Sequence, residues 1–154
     1  MAIRNIRFDK DEILRKRSKE IEVIDDKIKA LAQDMLDTMY AKDGIGLAAC
    51  QVGMLKRIIT YDVSYIEEGA KKKPVVMINP KIISMSKSMV TVEEGCLSFP
   101  NIFRDVDRHE KIKVEYTDLN NKRIVKNLKG MEAIVVQHEY DHLDGIVFLD
   151  RLEK

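Results

Sequence analysis

Between residues 25 and 41 the apolar side chains fall at Ile28, Leu31, Ala32, Met35, Leu36 and Met39, the three-and-four spacing of a helix with one buried face. Asp25 or Asp26 can cap its start, and the glycines at 44 and 46 mark its stop. The period then changes. Residues 58–63, 75–78 and 82–85 are short apolar runs that read as strands, with Asn79 and Pro80 as punctuation between the last two. From 111 to 117, Ile112, Val114 and Tyr116 alternate with charged positions. Turn residues follow from Asp118 to Asn121, and 123–128 reads as the returning strand of a hairpin. Near the end the helical spacing returns, with Met131, Ile134 and Val135 continuing the face that carries His138. Val136 broadens that stripe, which predicts a helix packed on more than one side, and Gly145 suits its C-terminal cap. A long helix, antiparallel strands and a second helix predict an α+β fold rather than alternating βαβ units. Its antiparallel strands would pack around a buried C-terminal helix, with the N-terminal helix beside them.

Composition narrows the class. The 154 residues show no linker, repeat or low-complexity segment, so 1–154 is read as a single domain. Lys and Arg number 27 against 26 Asp and Glu, a net charge of +1, which removes the electrostatic case for direct nucleic-acid binding or an anionic membrane surface. No apolar run approaches the roughly 20 residues of a spanning helix. The opening MAIRNIRFDKDEILRK lacks the apolar core of a signal peptide. Two cysteines, Cys50 and Cys96, do not make a disulfide framework. A reduced, cytoplasmic setting is expected, where a thiol is free to act as ligand or nucleophile.

The chemistry-bearing segment is QHEYDHLDG, residues 137 to 145. His138 and His142 stand one helical turn apart on one face, with Glu139 beside them. Two imidazoles so placed can grip one metal ion, and the carboxylate can reach a water on it. A core helix bearing these polar groups needs partners for them, which a metal would supply. A catalytic ion usually takes three protein ligands. Phe148 stands where the HExxHxxGxxH pattern needs its last histidine, so that completion fails. Glu153 and Asp150 lie in a short tail. His109 lies in a charged run that reads as solvated, and Cys50 sits among small residues in GIGLAACQVG, suited to close packing. Cys96, in EEGCLSFP, is the better candidate: Gly95 would permit unusual backbone angles beside it and Pro100 would stiffen the exit.

Three segments taken together resemble peptide deformylases: GIGLAACQ at 44 to 51, EGCLS at 94 to 98 and QHEYDHLDG at 137 to 145, in the family's order. The resemblance extends through LRKRSKEIE and the helix ending in DTMY, and so covers most of the chain. It implies an enzyme that removes the formyl group from N-formyl-methionyl nascent peptides. It implies a metal held by Cys96, His138 and His142, with Glu139 as general acid and base. It implies Gln51 and the backbone N–H of Leu97 as donors to the reaction's oxyanion, and the backbone of Ile45 and Gly46 as a peptide-binding edge. For the methionine slot the candidates are Ile45, Met131, Ile134 and Val135. One divalent ion is implied, Fe²⁺ in the cell, with Zn²⁺, Ni²⁺ or Co²⁺ compatible with the same donors.

The chain departs from the family pattern at three places. Cys50 stands where Pro, Thr or Asn is commoner and could offer a reactive thiol near the site. Phe103 stands where many relatives carry an Arg that contacts the peptide, and the neighbouring Arg104 is a candidate substitute. The nine residues after Gly145 are too few for the long C-terminal helix with which some relatives dock on the ribosome, so only a transient ribosome contact is expected. Arg108 matches the family's partner for Glu94. A monomer with no membrane partner is expected. Two rival readings are a small metallo-amidase or peptidase on the same triad, and a structural metal site.

Overall fold

The structure, a computed structural model, describes residues 2–66, 69 and 71–152. Helix α1 spans Asp26–Ala41, as its spacing predicts, and the Asp25 carboxylate accepts from the Ile28 N–H at 3.0 Å to cap it. It stops without a glycine in the turn. Asp43 takes the left-handed conformation (φ 56°), and the Gly44 N–H closes back on the Met39 carbonyl.

Five strands follow one antiparallel ladder in the spatial order β1 (Gly46–Ala48), β2 (Ile58–Tyr61), β3 (Val75–Met85), β6 (Lys111–Thr117), β7 (Arg123–Lys129). The predicted hairpin is β6 and β7, paired from Lys111 opposite Lys129 to Thr117 opposite Arg123. Residues 75–85 form one strand rather than two. Asn79, with φ 51°, makes a bulge that absorbs the proline, and its amide bonds both the N–H and the carbonyl of Ile21. Strand β2 is buried on both faces. Ile58 faces the cluster built on α1, while Ile59 and Tyr61 face the cluster built on the second helix.

A second, two-stranded sheet was not foreseen: β4 (Met89–Cys96) pairs with β5 (Phe99–His109). Its 99–109 arm covers the charged run expected to be solvated. Helix α2 spans Gly130–Leu143 and packs against β1, β2, β6 and β7 on one side and β5 on the other. That enclosure explains the broad apolar stripe, for every residue from Ala133 to Glu139 is buried. Gly145, at φ +75°, follows α2 as its sequence position predicts. The Arg15 carbonyl lies 2.5 Å from where a side chain would begin there. No helix among the described residues is long and apolar enough to cross a membrane.

Candidate metal centre

Three segments far apart in the chain meet at the middle of α2. His138 and His142 project from one face, their rings 5.1 Å apart, toward Cys96 at the end of β4. The sulfur and one nitrogen of each ring lie within 4.8 Å of one another. Cys96 Sγ and His142 Nε2 are 3.4 Å apart. Two such atoms bound to one tetrahedral zinc-sized ion would stand about 3.6 Å apart, so the set can close on an ion with little movement. Among the described residues no other group of three metal-binding side chains comes together.

The ligand candidates are held from behind. Glu94 Oε1 lies 2.7 Å from His138 Nδ1, which leaves Nε2 for the centre. Arg108 grips the same carboxylate through Nε and Nη2 at 2.8 and 2.9 Å, and gives Nη1 to Asp141 at 2.7 Å. Arg151 closes the far end on Asp141 with two further bonds. Each charge in this series is met by its neighbour, which is how four ionic groups and an imidazole lie together in the interior. The Arg108 and His138 bonds hold Glu94 below the usual carboxylate range, against the opposing pull of burial.

Glu139 is buried at 5% exposure, and its Oε1 has no partner among the described residues. Burial raises its pKa to about 7, with the nearby His138 charge working against the shift. Burial lowers the proton affinity of His138, but Glu139, Cys96 and Glu94 outweigh it and hold the ring well above its ordinary value. His142 is pushed well below by burial and by the charges of His138 and Arg108. Anionic groups thus crowd one point, and His138 supplies the positive charge that an ion would otherwise bring. The residues present fit a divalent metal.

The remaining candidates surround this point. Gln51 is buried in the 3-10 turn Ala49–Val52; its Oε1 accepts from the Ala48 N–H at 2.9 Å, and its Nε2 reaches Ser98 Oγ at 3.0 Å and Cys96 Sγ at 3.5 Å. Ser98 was missed as a contributor, although it lies inside EGCLS. Asp141 was missed too, since nothing in the helical spacing marks it. Leu97 packs against Gly44, and the two face a cleft of about 440 Å³ whose walls include Ile45, Gly46, Met131, Ile134, Val135 and Glu139. Ile134 and Val135 are buried, whereas Met131 is exposed at the edge. Gly46 lets β1 pass close to α2: a Cβ there would lie 2.5 Å from Glu139 Oε2 and 3.0 Å from Val135 Cγ1.

Several expectations are corrected. His109 is a half-buried strand residue whose Nδ1 lies 2.7 Å from the Ser86 carbonyl, far from any ligand role. Cys50 is not a reactive thiol: it is fully buried, its sulfur lies 3.6 Å from the His142 carbonyl, and burial pushes its pKa up to about 12. Gly95 has no unusual backbone angle, and its lack of a side chain makes room for the Phe103 ring instead. Arg104 does not replace a cation in the cleft, for its guanidinium turns to the Phe103 carbonyl, and Phe103 is the residue lining the wall. Asp150 caps the final turn and pairs with Arg15. Glu153 lies outside the described residues. Phe148, in the place of the absent histidine, is buried between Phe99 and His138.

Two imidazoles and a thiolate around one point, with a buried carboxylate beside them, define a hydrolase that works through a metal ion. The family model described as polypeptide deformylase matches residues 3–154. Peptide deformylase 1 of Clostridium perfringens is 47% identical over 150 residues, covering 97% of this chain and 98% of that one. Peptide deformylase 2 of Gloeobacter violaceus is 48% identical over 143 residues, 93% of this chain and 75% of that one. The crystal structure of the Thermotoga maritima peptide deformylase superposes with a TM-score of 0.91 over the whole of both chains at 39% identity. That of Synechococcus elongatus, in complex with actinonin, gives 0.91 over 97% of this chain and 80% of the other at 41% identity. The chain belongs to the polypeptide deformylase family. It is a metal-dependent enzyme that removes the formyl group from the N-terminal methionine of nascent polypeptides.

Proposed function

We propose that deformylation is carried out by Glu139, Gln51 and Leu97 around an ion held by Cys96, His138 and His142. One observation carries this reading: the three donor atoms gather within 4.8 Å beside a buried carboxylate with a free oxygen. When bound, the ion supplies Lewis acidity, making water a nucleophile near neutral pH and polarising the formyl oxygen. Glu139 takes the proton of the attacking water and returns it to the methionine nitrogen as the C–N bond breaks, releasing formate. The negative charge forming on the formyl oxygen meets donors from Gln51 Nε2 and the Leu97 N–H. The Gln51 amide is oriented for this by its bond from Ala48, and losing one such donor costs on the order of 3 kcal/mol of transition-state stabilisation.

The methionine side chain enters between Ile134, Val135 and Ile45, with Met131 at the rim. The peptide extends along the open edge of β1 at Ile45 and Gly46 as an added strand. β1 is an end strand of its sheet, which supports that role. The ion in the cell is Fe²⁺ in this reading, since two imidazoles and a thiolate suit it, and Zn²⁺, Ni²⁺ or Co²⁺ can take the same donors. The enzyme acts as a cytoplasmic monomer that meets nascent chains with at most a transient ribosome contact.

The test is Glu139→Ala, read by formate release and by metal content. A loss of about 10²-fold to 10⁴-fold in kcat with the metal retained is expected. Unchanged turnover would refute the assignment. Rates on acetylated and internal peptide bonds separate this activity from a broader amidase, and metal analysis of anaerobically prepared protein identifies the ion.

A further inference from the structure

Phe103 is 57% exposed, yet it is an aromatic ring on the wall of the substrate cleft. Its ring edge approaches within 2.6 Å of where a Gly95 side chain would begin, so any larger residue at 95 would displace it. Gly95 immediately precedes Cys96, which places the ring one residue along β4 from the metal centre. Met131, 39% exposed, lines the same cleft, as does Val92. Exposed apolar side chains gathered at a cleft mark contact with a ligand, whereas isolated ones carry no such meaning. Covering Gly95 accounts for one face of the ring and leaves the other in water. The occupant follows from the reaction: a nascent polypeptide with its first residue in the slot must leave through this mouth.

We propose that Phe103, with Met131 and Val92, forms a second apolar subsite that selects an apolar or aromatic side chain at one of the two residues following formyl-methionine. This rests on the site assigned above. Asp43 and Glu93 also line the mouth, so an acidic side chain at that position is disfavoured. Covering the exposed ring face with a substrate side chain removes on the order of 50 Å² of apolar surface from water, which corresponds to about an eightfold preference.

The experiment measures kcat/KM of the metal-loaded enzyme on formyl-Met-Xaa-Ala and formyl-Met-Ala-Xaa, with Phe, Leu, Ala or Asp at the varied position. At one position Phe and Leu are expected to exceed Ala by about eightfold, with Asp lowest. In Phe103→Ala the preference falls below about twofold while the rate on formyl-Met-Ala-Ala holds, and Phe103→Leu retains part of it. A flat wild-type profile, or a preference that survives Phe103→Ala, overturns the proposal. Failure of the wild type on formyl-Met-Ala-Ala would instead overturn the assigned site, and the subsite with it.

Discussion

Replacing Gly46 by alanine should separate catalysis from stability. The new methyl carbon would lie 2.5 Å from Glu139 Oε2, 3.1 Å from its Cδ and 3.0 Å from Val135 Cγ1. Carbon and oxygen rest at about 3.5 Å, so the carboxylate must retreat by about 1 Å. It can do so, being the far end of a flexible side chain, but that is the group assigned to move the proton. A displacement of about 1 Å in a reacting group costs on the order of 10²-fold in rate. Stability changes far less. Alanine lowers unfolded-chain entropy by about 0.4 to 1 kcal/mol, against about 1 to 3 kcal/mol for crowding Val135. The net loss is on the order of 1 kcal/mol, a Tm shift of about 2 to 4 °C in a chain of this size. The assays are kcat and KM on a formyl-Met peptide, metal content, and thermal unfolding. Expected is a kcat loss near 10²-fold with metal content unchanged. Wild-type kcat in a folded variant would refute the packing of Glu139 against β1.

Glu94→Gln removes the charge shared by Arg108 and His138 and leaves Arg108 short of a partner; unfolding should show a loss of about 3 to 5 kcal/mol, and chelator competition a metal affinity weaker by about 10-fold to 100-fold. Because Glu94 is held below its ordinary pKa, its contribution is present above pH 4.5 and lost as pH falls below that; Glu94→Gln should flatten the acid side of a stability profile, and an unchanged slope would count against the pairing. At pH 6 the metal-free protein holds protons on Glu139, raised to about 7, and on His138, raised well above its ordinary value, so loading Zn²⁺ should release protons and affinity should climb with pH. Calorimetry in buffers of different ionisation enthalpy reads this, and zero net release would contradict the site's electrostatics. A thiol reagent should modify Cys96 in metal-free protein and leave Cys50 untouched until unfolding, as peptide mapping would show, since the Cys50 thiol is buried and pushed up to about 12.

Where apolar spacing and end signals agreed, the sequence was readable. The Asp25 cap, the buried stripe of α1 and the alternation of β6 stand where their residues predict. The β4 and β5 pair hid itself for a physical reason. Its inward positions include Glu94 and Arg108, which are buried because they neutralise each other, so the pattern of a half-buried strand is written in charges. The break at Asn79 and Pro80 misled for a different reason. A bulge satisfied by Ile21, a partner 58 residues away, lets one strand continue through residues that locally favour a turn. At the metal centre the histidine pair was plain from spacing alone. Placing Cys96 beside it depended on contact across 46 residues, which a residue motif can suggest and only the fold can bring about.

The separateness of the two sheets gives the ion a part in folding as well as in chemistry. Among the described residues no ladder joins β4 and β5 to the five-stranded sheet, so the hairpin is held by side chains alone. An ion bound by Cys96 and by both α2 imidazoles would act as a reversible staple, closing a loop of 46 residues between the end of β4 and the helix. A newly made chain cannot fasten that staple until its last helix has formed, so metal loading belongs to the end of the enzyme's own maturation. Losing the ion would then loosen the hairpin first, uncoupling one wall of the substrate cleft while the larger sheet stays intact.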